Sequence, residues 1–164
     1  MIRINNVLVA TDFSEPSAVA LDYGRELART YGAKLHVLHV VEDLRWRYAT
    51  DMAPAALVGI QEDVQAAAAS RLDALVTDED RQQLGAHTVA LTAISPSDAI
   101  VQYAKSEGAD VIVMGTHGRS GFAHLFMGSV AERVVRLAPC PVLTIRHPQY
   151  ELIVPDALVA VAKA

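Results

Sequence analysis

Short runs of apolar residues alternate along this chain with longer stretches in which apolar residues recur every three or four positions. Runs of about four to eight residues are typical of strands, and the longer periodic stretches are typical of amphipathic helices. The pattern predicts five strands: Val7–Ala10, Lys34–Val41, His87–Thr92, Val111–Met114 and Val142–Ile145.

The stretches between these strands carry helix start and stop signals. Ser14 is predicted to cap the first helix, which Gly32 ends, and Ser95 followed by Pro96 begins a later one. The Ala-rich stretch over about residues 57–84 is predicted to be helical. Within it, Thr77 either closes this helix or begins a short second piece.

Strict alternation of strands and helices predicts a single α/β domain with a parallel sheet covered on both faces. Ligands in such open sheets bind at the carboxyl ends of the strands. The loop after the first strand, with Asp12, and the segment over residues 115–129 both belong to that edge. If the first and fourth strands are neighbours, these two segments face one site.

A glycine-rich loop follows the fourth strand and holds the main candidate chemistry. It contains Gly115, Gly118 and Gly121, and a new helical pattern begins at Gly128 and Ser129. Glycines allow close backbone approach, and the free N–H groups of a helix's first turn attract anions. We therefore predict a phosphate site, most simply for a nucleotide, the alternative being that the glycines only serve tight turns.

The loop lacks the residues of the common nucleotide-hydrolysing motif. Gly128 is followed by Ser129 with no lysine in the loop, which excludes a Walker A sequence, and the glycine spacing differs from the Rossmann fingerprint. Backbone amides, Ser129 and Arg119 must then neutralise a phosphate. This favours holding a nucleotide over turning it over quickly.

Two further polar residues are candidate ligand groups. Asp12 suits Mg²⁺, which takes carboxylate and phosphate oxygens, or it is a turn or helix-capping acid. His117 either hydrogen-bonds a ribose or phosphate or is an exposed loop histidine. Ser129 is predicted to cap the helix that follows, whether or not it also binds a ligand.

Other histidines and aromatic residues are interpreted as structural. His36 and His39 are three residues apart on one strand, a poor arrangement for a shared metal. The less regular segment from Glu42 to about Ala56, which contains Arg45 to Tyr48, is predicted to be a lid or a loop packed on the domain. Cys140, between two prolines, is assigned to packing or to the turn.

Composition narrows the class of protein further. The chain has 164 residues, is 52% hydrophobic and has a net charge of −5, which argues against nonspecific binding to nucleic acid or anionic lipid. Cys140 is the single cysteine, so no internal disulfide forms. No apolar run reaches the roughly 18 residues of a membrane span, and no signal-peptide pattern precedes the first strand. We expect a cytoplasmic protein.

Four stretches together resemble the universal stress protein family. They are the opening residues 7–14, the His39-Val40-Val41 end of the second strand, the closing residues 140–143, and the pattern Gly115-x-x-Gly118, nine residues, Gly128-Ser129. The resemblance covers about residues 3–146. It implies a flavodoxin-like, Rossmann-like three-layer sandwich with a five-stranded parallel sheet in the order 3-2-1-4-5. The domain would span residues 1–147, and residues 148–164 would pack on it or on a dimer partner.

The resemblance also implies a ligand set, because the glycine pattern is kept by the family's ATP-binding branch. The residues carried over to ATP are Ala10, Thr11, Asp12, Val40, Met114, Gly115, His117, Gly118, Arg119, Gly128, Ser129 and Val130. Asp12 would reach Mg²⁺ through the ATP phosphates. Ala131 stands where the family often has Thr or Ser, which puts one hydroxyl contact in doubt. The family also dimerises through the last strand, here Val142 to Ile145.

Three functions follow as expectations. The first is an ATP-binding, mainly non-enzymatic regulator of a stress response, acting on an unknown protein partner. The second is a slow ATPase or self-phosphorylating protein, and the third is a nucleotide-free dimeric interaction module.

Overall fold

The computed structural model describes residues 2–48, 53–116 and 127–146. The predicted tail over residues 148–164 therefore lies outside the described residues. In chain order the elements are β1 (Asn6–Ala10), α1 (Glu15–Tyr31), β2 (Lys34–Glu42), α2 (Leu44–Arg47), α3 (Pro54–Leu75), α4 (Asp78–Leu84), β3 (His87–Ala93), α5 (Pro96–Ser106), β4 (Val111–Gly115), α6 (Ser129–Leu137) and β5 (Val142–Ile145).

The five strands form one parallel sheet in the order β3-β2-β1-β4-β5. This confirms the predicted α/β class and strand order. β1 lies at the centre, where Val7 pairs with Leu35 of β2 on one side and with Val111 of β4 on the other. The first and fourth strands are therefore neighbours, as the predicted site requires.

Each face of the sheet has its own hydrophobic core. Val7 and Val9 face the core covered by α1, α3 and α4, whereas Leu8 and Ala10 face the core covered by α5 and α6. Successive side chains of a strand point to opposite faces, so burial on both faces requires an uninterrupted apolar run. That requirement explains the sequence of β1.

Helix α1 approaches β1 closely at one glycine. A Cβ atom placed on Gly24 would overlap Cγ2 of Val9, whose side chain is fully buried. Gly24 therefore sets the distance between this helix and the sheet.

The ends of α1 and α5 follow the predicted signals, except that the Ser14 side chain does not cap α1. The Ser95 side chain accepts a hydrogen bond from the amide of Asp98, and Gly32 ends α1 at a φ of 65°. Ser14 occupies the N-cap position of α1, but its side chain does not cap the helix. Its hydroxyl instead donates to the Asp12 carboxylate.

The Ala-rich stretch forms two helices rather than one. α3 begins at Pro54, earlier than predicted, and α4 begins after Thr77, whose hydroxyl accepts from the amide of Asp80 at 3.1 Å. The Asp80 carboxylate accepts in return from the amide of Thr77, completing a capping box. Of the two predicted possibilities, the second helix is correct.

His36, His87 and Tyr103 form a polar cluster between β2, β3 and α5. The Tyr103 hydroxyl lies 3.1 Å from Nδ1 of His36 and 3.3 Å from Nε2 of His87. Nε2 of His36 is buried without a hydrogen-bond partner among the described residues. A buried N–H without a partner is rare, so we place the His36 proton on Nδ1, where it is donated to Tyr103. The Tyr103 hydroxyl then donates to Nε2 of His87.

Among the helices in the described ranges, none has the length and apolar character needed to cross a bilayer.

Candidate functional site

A cavity of about 970 Å³ opens at the carboxyl ends of β1, β2 and β4. The strand register brings these ends together, because Ala10 pairs with Leu38 on one side and with Met114 on the other. The volume lies at the upper end of the range typical of ligand pockets. Nine predicted site residues line it: Ala10, Thr11, Asp12, Val40, Met114, Gly115, Gly128, Ser129 and Val130. The other three, His117, Gly118 and Arg119, lie outside the described residues.

The turn after β1 is held by its own side chains. The Thr11 hydroxyl lies 3.0 Å from the Ser17 hydroxyl and accepts a hydrogen bond from the amide of Phe13 at 3.1 Å. The Asp12 carboxylate accepts from the amide of Ser14 at 3.1 Å. Asp12 is therefore a turn-forming acid, as one of its two interpretations proposed, and its carboxylate also lines the cavity.

Phe13 lies in the left-handed region, with a φ of 65°. A bulky residue adopts this conformation only where its surroundings fix it, and such positions cluster at ligand sites. Here the side chains of Thr11 and Asp12 accept hydrogen bonds from the amides of Phe13 and Ser14 and so hold the backbone. The Phe13 ring is thereby directed to the cavity wall.

The first turn of α6 forms the opposite side of the cavity. Gly128 is the N-cap, with extended backbone angles of −69° and 152°, and Ser129 is the first helical residue. The prediction that Ser129 caps the helix is therefore wrong, because the helix begins at Ser129 itself, one residue earlier than a Ser129 cap needs. Gly128, Ser129, Val130 and Ala131 all border the cavity, where the unpaired N–H groups of a helix's first turn favour an anion.

The two stems of the glycine-rich segment are joined. The amide of Gly128 donates to the carbonyl of Thr116 at 2.7 Å, and the amide of Thr116 donates to the carbonyl of Ile145 at 2.9 Å. The end of β4 and the start of α6 are thus fixed to each other and to β5.

Helix α3 supplies cavity residues that the sequence did not reveal. Val64, Ala67, Ala68 and Arg71 line the cavity from this helix. Their spacing places them on one helical face, but the Ala-rich sequence shows no contrast between that face and the others. Only the packing of α3 against β2 and β3 identifies them.

The described part of the segment after β2 contacts the domain, but it is helical rather than the predicted lid or loop. It forms the short helix α2, whose Leu44 amide donates to the Gln61 side chain at 2.8 Å. Leu44 and Arg47 line the cavity, and Arg47 forms an ion pair with Glu42 at 2.7 Å.

Three side chains form a stack at the α3 side of the cavity. The Arg71 guanidinium carbon lies 4.0 Å from the centre of the Phe13 ring, and the Phe13 and His39 ring centres are 4.3 Å apart. Nδ1 of His39 lies 2.8 Å from the carbonyl oxygen of Thr11, so this nitrogen carries the proton and donates it. His39 is therefore structural, as predicted, although it also borders the cavity.

Fold and site together define a Rossmann-like α/β domain with a ligand cavity where the central strands end. Residues 3–146 match the Universal stress protein family. The chain belongs to this family.

Individual relatives agree with that assignment. The chain is 30% identical over 154 residues to Universal stress protein MJ0531 of Methanocaldococcus jannaschii, covering 88% of this chain and 84% of the relative. It is 31% identical over 150 residues to Universal stress protein YxiE of Bacillus subtilis, covering 87% and 99%.

Solved structures show the same fold. Universal stress protein UspA from Lactobacillus plantarum superposes with a TM-score of 0.75 at 28% identity, covering 89% of this chain and 100% of that one. A universal stress protein in complex with cAMP has a TM-score of 0.56 at 25% identity, covering 88% and 98%. The universal stress protein from Archaeoglobus fulgidus in complex with dAMP has a TM-score of 0.55 at 25% identity, covering 88% and 99%.

Proposed function

We propose that this protein binds ATP and acts as a nucleotide-dependent, mainly non-enzymatic factor of a stress response. The observation that carries the proposal is the cavity itself, which has an apolar wall from α3 on one side and the first turn of α6 on the other. Apolar surface suits a base, and a helix N-terminus suits phosphate. The cAMP and dAMP complexes of the similar structures support an adenine nucleotide.

The phosphates would be held mainly by backbone groups. Gly115, Gly128, Ser129 and Val130 border the α6 side of the cavity, and the glycine motif adds His117, Gly118 and Arg119 from the sequence. The adenosine would lie nearer Ala10, Thr11, Met114 and the backbone of Val40. Ala131 also borders the cavity and offers no hydroxyl there, so the phosphates rely further on backbone amides.

Mg²⁺ fits the site through Asp12. Mg²⁺ is usually bound by one or two carboxylates together with substrate phosphates. Asp12 supplies one carboxylate in the cavity, and the described residues contain no cluster of three or more metal-ligating side chains that would form a separate protein site.

Regulation requires that the occupied and empty forms differ in their affinity for a partner. A ligand shifts a conformational equilibrium only by its differential affinity for the two states. The glycine motif runs between Thr116 and Gly128, whose backbones are hydrogen-bonded to each other, so ATP bound through this motif would act next to the carboxyl edge of the sheet. We propose that a protein partner recognises the surface of this motif in the cytoplasm.

The direct test is to denature the purified protein, separate any released nucleotide by chromatography, and titrate ATP and Mg²⁺ into the stripped protein by calorimetry. The proposal is supported if the protein releases ATP or binds added ATP tightly, and if it hydrolyses ATP only slowly. A well-folded protein that neither releases nor binds an adenine nucleotide overturns it and leaves the interaction module.

Two glycine variants sharpen this test. Gly118→Val, in the sequence motif, should abolish ATP binding with little effect on folding, because its side chain blocks close approach of a phosphate. Gly59→Ala in α3 is the control, since a Cβ there meets nothing within 4 Å. Unchanged ATP affinity in the Gly118 variant would remove the glycine-loop site.

We also propose a homodimer through β5. This strand is at the edge of the sheet, so within the described structure no strand pairs with its outer edge. Leu143 in this strand is 37% exposed. Leu143→Asp should yield a monomer by analytical ultracentrifugation. Ile94→Asp, 57% exposed beside the opposite edge strand, should leave the dimer intact. A wild-type monomer at micromolar concentration overturns this assignment.

A further inference from the structure

The α3 wall of the cavity ends at the positively charged side chain of Arg71, which is not part of the glycine motif. Val64, Ala67, Ala68 and Arg71 recur at helical spacing and line the cavity together. Three of them are small or apolar, so a flat ring can lie against them. Arg71 follows one turn later at the end of this stripe.

Arg71 is not used by an ion pair within the described part of the chain. The other cavity arginine, Arg47, has a carboxylate partner, Glu42, at 2.7 Å. Arg71 has instead the ring of Phe13, with the guanidinium carbon 4.0 Å from its centre. Because no carboxylate in the described ranges pairs with Arg71, the contact with the Phe13 ring is what orients its guanidinium group.

The ring that orients Arg71 is itself held firmly. Phe13 lies in the left-handed region, and its amide donates to the Thr11 hydroxyl. Its ring also contacts His39, which is bonded to the Thr11 carbonyl. The support of Arg71 therefore runs through residues fixed at the ends of β1 and β2.

We propose that Arg71 stacks on the base of the bound nucleotide and contributes to its affinity, with Phe13 as its positioning residue. A guanidinium is planar, so it covers Phe13 with one face and keeps its other face and N–H edges for a ligand. Stacking of bases on arginine planes is a common recognition mode. This inference rests on the proposed nucleotide binding and adds a residue of the base subsite.

The proposal separates base from phosphate recognition, so it is tested with three probes. ATP, adenosine and inorganic tripolyphosphate are titrated by calorimetry into the wild type and into the variants Arg71→Gln, Arg71→Lys and Phe13→Leu. Arg136→Gln is the matched control, because its side chain is 75% exposed in the last turn of α6. Circular dichroism verifies that each variant is folded.

Arg71→Gln is expected to lower the affinities for ATP and for adenosine by the same factor, about fivefold to tenfold. The affinity for tripolyphosphate should stay unchanged. Arg71→Lys should recover little of the loss, because an ammonium group has no plane to stack. Phe13→Leu should follow the same pattern through the lost support.

Two results overturn the inference while leaving nucleotide binding intact. The first is an Arg71→Gln variant with unchanged adenosine affinity. The second is a loss of tripolyphosphate affinity in Arg71→Gln that is absent in Arg71→Lys, which would make Arg71 a phosphate ligand. A wild type that binds none of the three probes instead defeats the proposed function itself, and the inference with it.

Discussion

Nε of Arg25 in α1 donates to the Asp80 carboxylate of α4 at 3.0 Å, although only 2% of the Asp80 side chain is exposed. Arg29 approaches the same carboxylate at 3.8 Å, and Arg25 also donates to the carbonyl of Leu75 at 2.7 Å. Burial alone raises the pKa of Asp80, but the hydrogen bonds from Thr77 and the charge of Arg25 outweigh it and lower the pKa. The Arg25–Asp80 ion pair joins α1 to α4, and the hydrogen bond from Arg25 to Leu75 adds α3. Arg25 thus connects three helices on the same face of the sheet.

Removing the Asp80 charge should destabilise the fold. Asp80→Asn leaves Arg25 without its buried partner, and we expect a loss of about 3 kcal/mol in the free energy of unfolding. Asp22→Asn is the control, because Asp22 pairs with the same arginine at 2.9 Å but is 73% exposed. Asp22→Asn should lower the free energy of unfolding by less than about 1 kcal/mol. Equal losses in urea denaturation would show that burial does not decide the strength of these pairs.

Stability should fall below neutral pH because of His36. Burial, followed by the charge of His87, lowers the pKa of His36 to about 4. The added proton would sit on Nε2, which has no hydrogen-bond partner among the described residues. The unfolded chain binds this proton from about pH 6.5 downward, so stability is full above that pH and declines towards pH 4, by up to about 3 kcal/mol.

The measurement is urea denaturation between pH 4 and 7.5 for the wild type, His36→Gln and His36→Leu. Both variants should lose the part of the pH slope that His36 supplies, whatever their stability at pH 7.5. A slope identical to that of the wild type in both would assign the acid sensitivity to other groups.

The close contact between α1 and β1 predicts opposite effects of alanine at two helical glycines. Gly24→Ala should destabilise by about 1 to 3 kcal/mol, because the new methyl group overlaps the buried Val9. Gly59→Ala should stabilise by about 0.5 to 1 kcal/mol, since it meets nothing within 4 Å and favours the helix. Thermal unfolding of both variants decides the matter, and a neutral Gly24→Ala would contradict the packing described.

Asp12 should link ATP affinity to Mg²⁺. Asp12→Asn keeps an oxygen that accepts from the amide of Ser14, so the turn is preserved while the carboxylate charge is lost. We expect the variant to lose the gain in ATP affinity on adding Mg²⁺ and to retain Mg²⁺-free binding. Glu42→Gln, another cavity carboxylate, should behave as the wild type. If Mg²⁺ strengthens ATP binding equally in wild type and Asp12→Asn, Asp12 is only a turn residue.

Burial on two faces made the sheet predictable from sequence. β1 and β4 are uninterrupted apolar runs, and the sequence placed both to within one residue of the observed strands. Helix ends were predicted correctly where one local feature determines them, as at the Ser95 cap of α5 and at Gly32 after α1. Ser14 takes the predicted N-cap position, but its hydroxyl donates to the Asp12 carboxylate and accepts from no helix amide, a detail that depends on the geometry of the turn.

The site was predictable only where a motif marks it. The family resemblance, carried by the glycine pattern and by the ends of β1 and β2, supplied nine residues that the fold brings to one cavity. Arg71 was missed because its role depends on a tertiary contact with Phe13, far away in sequence, and on an Ala-rich helix without a polar contrast. Ser129 was predicted to be the N-cap in place of Gly128, because a shift of one residue at a helix start leaves no trace in composition.

The central position of β1 has a consequence for how the chain folds during synthesis. Its pairing with β2 joins Val7 to Leu35, whereas its pairing with β4 joins Val7 to Val111, which a ribosome adds much later. Until then one edge of this buried apolar strand has no neighbour, and an unpaired edge invites association with other chains. Translation speed and chaperone supply between these two events should therefore affect the yield of this protein more strongly than they affect a fold built from consecutive hairpins.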